Sequence, residues 1–386
     1  MARRRSAVQL GGPGTFMRRR CRPPVPLRCA FVPATGCEAG AESRESIALH
    51  APPMHTHSRI FVAGHAGRIG RALLKHLAQA GYRKLLTRAQ ARLDLTDPQA
   101  TDAFFARERP EFVFLAVSAW VNPESRDEGP AQPASALRDD LLIQANVLWA
   151  AHRHGVERLL FVVPSGIYPA QAPEPLGEQA LLAGPPAAHE RPAAIARIAG
   201  IELCAAFNRQ HGTRFLAVAS ADTYGPDDSY RDCAGRAVPA MVRAFHEARV
   251  GAAAQVVLPG SGAREAELLF NDDAAAGLVF LMRLPQVELD PLLTGRDPAT
   301  DAGRMPLVNL GSGHPVSMAR LAREIKAAVG YGGVITFDRQ QAEWPSGRVL
   351  DTRLIASRGW APRVLLAQGL ERTYRDYLQR EAVGAL

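Results

Sequence analysis

Apolar positions along the chain fall into two alternating rhythms. RIFVAG (59–64), EFVFLAV (111–117), ERLLFVV (157–163) and RFLAVAS (214–220) are short and nearly continuous, while the stretches between them carry apolar residues three and four apart. The continuous runs predict strands buried on both faces. The periodic stretches predict helices: HAGRIGRALLKHLAQAGY (65–82), TDAFFARERP (101–110), DLLIQANVLWAAHRHG (140–155) and a segment over about 193–210, with YRKLL (82–86) as a further strand. Such alternation implies an α/β fold in which a doubly wound parallel sheet is covered on both faces.

Beyond about residue 222 the rhythm breaks. DTYGPDD reads as a turn, RAVPAMVRAFHEARV as a helix, AQVVLPGSG as a strand and 290–306 as a long polar loop; VSMARLAREIKAAVGYGG, VITF and AQGLERTYRDYLQR supply helix, strand and closing helix. The pattern implies a main domain over 54–225 and a smaller C-terminal domain over 226–386 that binds substrate and returns in part to the main one.

Charge changes the picture only at the N-terminus. Residues 1–53 hold nine arginines against three glutamates, a net +6 of the chain's +8, so the remaining residues are near neutral. A nucleic-acid partner loses its main support. The tail reads as disordered, and as an organellar targeting peptide, a basic interaction segment or a start codon set too far upstream, the last being favoured because Met54 stands just before the first strand. Five cysteines without close pairing fit a reducing, cytoplasmic setting, and neither zinc spacing nor an apolar run of membrane-spanning length occurs.

Chemistry first shows at GHAGRIG. Gly64, Gly67 and Gly70 lie between a strand and a helix, where absent side chains let backbone amides approach a pyrophosphate at the helix's positive end. This is the pattern of a Rossmann-like dinucleotide site. At the end of the second strand Thr87-Arg88 offers a hydroxyl and a cation suited to a 2′-phosphate, which favours NADP over NAD; Arg88 also reads as an ordinary solvated arginine. Asp94 reads either as a contact at the adenine end or as a cap for the next helix.

RIFVAGHAGRIG, SGIYP, IARIAGIELCAAFNRQHG, TYGPDD, VPAMVRAFHEA, LPGSG, VNLGSG and LDTRLIASRGW, in this order, resemble the GDP-L-fucose synthase family of extended short-chain dehydrogenase/reductases over nearly all of 56–380. The resemblance implies a homodimeric, NADP-dependent enzyme that epimerises and reduces GDP-4-keto-6-deoxymannose. It also implies five catalytic side chains, and none is present. The serine position is Pro164, the cysteine Gly166, the tyrosine Ala193, the lysine Arg197 and the histidine Arg236. Alanine donates no proton, and an always-charged planar guanidinium does not reproduce an ammonium, although Arg197 retains the means to contact a ribose or phosphate. The resemblance therefore implies an absent or severely weakened reaction.

The alternative is an active NADP-dependent epimerase/reductase, or a related nucleotide-sugar oxidoreductase, with rearranged acid-base residues, for which Ser165, Tyr168 and His189 are the candidate substitutes. On the sugar-nucleotide side, Pro259 replaces a stacking tryptophan and Ala266 a diphosphate-binding arginine, leaving Arg264 and Arg348 as candidate phosphate contacts, while Glu267, Asp272 and Asp273 read equally as packing groups. Apolar faces of the helices at 140–155 and 193–210, including Leu148, Trp149, Leu203 and Phe207, suit a dimer interface. No membrane or metal partner is expected.

Overall fold

The continuous apolar runs become β1 (Arg59–Ala63), β3 (Phe112–Leu115), β4 (Arg158–Pro164) and β5 (Phe215–Ser220), buried along almost their whole length. The computed structural model describes residues 54–117, 133–231, 233, 236–294, 305–344 and 348–384; the expected tail over 1–53 lies outside them. With β2 (Lys84–Leu86) and β9 (Leu307–Leu310), these strands form an all-parallel sheet in the order β2-β1-β3-β4-β5-β9. β2 lies on one side of β1 and β3 on the other. That reversal opens a crevice at the strands' carboxyl ends, beside the glycine turn.

Helices α1 (Arg68–Gln79), α2 (Pro98–Glu108), α3 (Pro133–Arg153), α4 (Arg191–His211), α6 (Asn271–Arg283) and α7 (Gln286–Thr294) accompany this sheet; α1 packs on α6 and α3 on α4. Leu73, Leu77, Phe104, Phe105, Val147 and Leu148 are among the side chains sealed against the strands. Each such burial contributes roughly 1.5–3 kcal/mol.

A second apolar cluster, with Met241, Phe245, Leu321, Ile325 and Leu370, joins α5 (Ala237–Val250), α8 (Met318–Val329) and α9 (Leu366–Ala382). Beside it run a three-stranded sheet, β10 (Pro315–Ser317), β8 (Glu265–Phe270) and β6 (Asp222–Tyr224), and a parallel pair, β11 (Val334–Asp338) and β7 (Gln255–Pro259). The smaller C-terminal domain is thus present.

Three local expectations change. The start of DTYGPDD is a strand, because Asp222–Tyr224 pairs in parallel with Leu268–Phe270 and buries Thr223 and Tyr224. The helix expected from residue 140 begins at Pro133, a residue preset for a first helical position. Residues 290–294 of the expected loop end α7, which buries Leu289, Leu292 and Leu293; 295–304 lie outside the described residues.

Candidate functional site

At the end of β1 the chain turns through Gly64 with φ +88°, where a Cβ would lie 2.5 Å from the Ala116 carbonyl oxygen just beyond β3. A Cβ on Gly70 would collide with the Gly64 carbonyl oxygen. Gly67, whose amide donates to that oxygen at 3.0 Å, is the extended N-cap of α1. Gly67 has no side chain to bond the first-turn amides, and no acidic residue stands in that turn. The amides and the helix dipole therefore face the crevice ready for an anion, and the close-packed glycine cradle fits a dinucleotide pyrophosphate.

Arg88 follows β2 and donates to Glu108 Oε1 at 2.7 Å and to the Thr87 carbonyl at 2.7 Å, lying over the Phe104 ring. Asp94 accepts from the Thr96 amide at 2.9 Å and hydroxyl at 2.7 Å; the cap of α2 is instead Asp97, which accepts from the Gln99 and Ala100 amides.

A cavity of about 200 Å³ opens between the end of β4 and the start of α4, lined by Pro164, Gly166, Ile167, His189, Glu190, Ala193, Ala194 and Arg197. Four of the five positions to which the resemblance assigns catalytic side chains, Pro164, Gly166, Ala193 and Arg197, therefore converge on one space. Its wall is apolar or small where the resemblance places serine, cysteine and tyrosine. Arg197 is nearly sealed: it pairs with Asp140 of α3 at 3.4 Å and donates to the Ala193 carbonyl at 3.1 Å. Burial lowers its guanidinium pKa, against the opposing pull of Asp140 and Glu190. Arg236, the fifth position, stands at the N-cap of α5 without a side-chain capping bond and pairs with the fully buried Asp228, which Arg68 also reaches at 3.3 Å.

The candidate substitutes are dispersed. Ser165 and Tyr168 are buried and do not line the cavity; the Tyr168 hydroxyl donates to Asn309 Oδ1 at 2.5 Å, and burial pushes its pKa well up. His189 lines the cavity with its imidazole largely in solvent, 4.0 Å from Glu190. Arg264 is exposed. Arg348 pins the loop over 169–174, donating to Glu174 at 2.6 Å and to the Pro169 and Ala172 carbonyls. Neither arginine lines the cavity.

Glu267 is sealed and accepts from the Gly313 and Leu350 amides, each at 2.7 Å; burial raises its pKa more than these bonds lower it. Asp273 accepts from the Arg363 and Val364 amides, and Asp272 pairs with Arg372. These carboxylates tie segments together.

Sequence reasoning missed Glu190, whose carboxylate stands in the space in front of Gly166. The available signal was an acidic residue directly before the Arg-Pro helix start. Among the described residues, no group of three His, Cys, Asp or Glu side chains could hold a metal ion, and no helix is long and apolar enough to cross a membrane.

Residues 60–291 match the model of the NAD dependent epimerase/dehydratase family. The chain belongs to that family. Within it, GDP-L-fucose synthase 1 of Arabidopsis thaliana is 36% identical over 323 residues, covering 83% of this chain and 94% of the relative. GDP-L-fucose synthase of Escherichia coli (strain K12) is 34% identical over 323 residues, with 84% and 97% covered. A solved GDP-D-glycero-L-gluco-heptose synthase from Campylobacter jejuni, crystallised in the presence of NADPH, superposes with TM-score 0.75 at 28% identity, covering 84% of this chain and 99% of that one. A GDP-6-OMe-4-keto-L-xylo-heptose reductase from C. jejuni gives TM-score 0.75 at 27% identity, covering 85% and 100%. The family's doubly wound sheet and GDP-sugar-synthase-like likeness thus span most of the chain.

Proposed function

We propose that this chain is an NADP-binding and GDP-sugar-binding family member in which reduction and epimerisation of GDP-4-keto-6-deoxymannose are lost or severely weakened. One observation carries the reading: the cavity that gathers the matched positions presents Pro164, Gly166 and Ala193, while Arg197 is buried against Asp140. Bound NADPH supplies a hydride. The chain must then place a proton on the ketone oxygen, and at the matched position it offers a methyl group. Loss of one positioned acid or base costs about 10²–10⁴ in rate, and joint losses need not add.

Gly64, Gly67 and Gly70 support the cofactor half, with the first turn of α1 receiving the pyrophosphate. Arg88 supports NADP over NAD if it exchanges Glu108 for a 2′-phosphate, a stronger, doubly charged acceptor. The relatives' GDP-sugars support the substrate class. Arg264 and Arg348 remain its candidate phosphate contacts.

Leu142 and Trp149 of α3 and Ile195 of α4 stand exposed on the packed helix pair, which supports a homodimer; Leu148 and Phe207 serve the core instead. The free, buried Cys204 accords with cytoplasmic residence.

Calorimetric titration with NADPH and NADH, followed by GDP-4-keto-6-deoxymannose, tests the proposal. Tighter binding of NADPH without formation of GDP-fucose is expected. Steady turnover, or no binding of either dinucleotide, overturns it.

A further inference from the structure

One carboxylate in the cavity has no counterpart among the matched positions. Glu190 immediately precedes α4, and its side chain makes no capping bond to that helix. The side chain instead reaches Gly166: a Cβ there would stand 2.5 Å from Glu190 Oε2 and 3.0 Å from its Cδ. A cysteine at 166 would project into the volume that this carboxylate fills. Glu190 therefore brings an oxygen to the place left by the missing thiol, from a different part of the chain.

The surroundings suit proton transfer. Glu190 is half exposed, so its oxygens exchange protons with water. Arg197, one helical turn past Ala193, lines the same cavity and keeps positive charge beside it. Asp222, exposed at the start of β6, lies within electrostatic range of Glu190, Arg68 and Arg236.

We infer that Glu190 is the base of this cavity and exchanges the hydrogen on a carbon next to the ketone of a GDP-linked 4-keto sugar. The inference rests on the GDP-sugar reading above. A Glu190 oxygen takes the proton, the C–H electron pair becomes a C=C bond, and the carbonyl π pair moves onto the ketone oxygen as an enolate. Charge on that oxygen develops in the cavity that Arg197 lines, with Asp140 offsetting part of the guanidinium's field. Reversal returns a proton to the same carbon after the carboxyl has exchanged with solvent. Nothing is oxidised or reduced, and the sugar leaves changed only in its isotope. Carboxylates perform this abstraction beside carbonyls in other folds.

The test incubates the protein with GDP-4-keto-6-deoxymannose in D₂O without NADPH and follows the sugar protons by NMR. Deuterium is expected beside C4 faster than in the sugar alone, and Glu190→Gln is expected to slow enzyme-dependent exchange about 10²–10⁴-fold. Calorimetry should give an unchanged NADPH affinity for that variant. If Glu190→Gln melts early, Glu190→Asp serves as the second variant, with an intermediate exchange rate expected. Exchange no faster than in buffer, or unaltered in both variants, overturns the inference. NADPH and GDP-sugar binding without exchange removes the base and leaves the proposed function standing; absence of all binding removes both.

Discussion

Arg197 and Asp140 offer the sharpest test of how the position that the resemblance assigns to lysine is used. Their side chains retain 7% and 6% exposure and stand 3.4 Å apart across the α3–α4 contact. Removing one partner leaves the other charge in a medium that solvates it poorly, at a cost of about 3–5 kcal/mol. Replacing both with apolar side chains removes the charges together and should be roughly neutral. Arg197→Met and Asp140→Leu are therefore each expected to lose about 3–5 kcal/mol, and the double variant less than either. Urea denaturation of the four proteins completes the cycle, with unchanged m values showing that the same surface unfolds. Additive losses, or an Arg197→Met loss below about 0.5 kcal/mol, would refute the pairing as a structural device and return the guanidinium to a ligand-binding role.

Other outcomes follow from single contacts. Gly70→Ala forces the turn apart at the Gly64 carbonyl and should weaken NADPH about tenfold or more, read by calorimetry. Burial holds the folded-state pKa of Glu267 above its unfolded value, so its favourable contribution is complete below the unfolded pKa and fades as pH rises through the folded one. Against the non-titrating Glu267→Gln, the wild-type stability advantage should be larger at about pH 5 than at about pH 8; the opposite slope in urea titrations rejects the assignment. Trp149→Asp places a charge on the exposed α3–α4 face and should shift sedimentation from dimer toward monomer, whereas an unchanged dimer would put the interface elsewhere.

Much of the scaffold was legible because its causes are local. The runs at 111–117 and 214–220 become buried strands, and GHAGRIG carries glycines where strand, turn and helix meet. β6 was hidden because its partner, β8, lies more than forty residues away, so turn chemistry dominated DTYGPDD. Periodicity marked Leu148 and Trp149 together as apolar, but neighbours on a helix point about 100° apart, so the first enters the core and the second faces solvent. Arg348 looked available for phosphate, yet its acceptors come from a loop more than 170 residues earlier. Glu190 escaped notice for a similar reason: only the approach of α4 to the turn after β4 brings its carboxylate to Gly166.

The proposed function requires that the chain keep a dinucleotide cradle and lack the proton donor that reduction needs. Single-turnover mixing of protein-bound NADPH with excess GDP-4-keto-6-deoxymannose, followed by the absorbance of the reduced nicotinamide, measures this directly. Saturable NADPH binding is expected, with an absorbance that does not decay above the protein-free rate. Stoichiometric decay with formation of the 4-hydroxy sugar would contradict it.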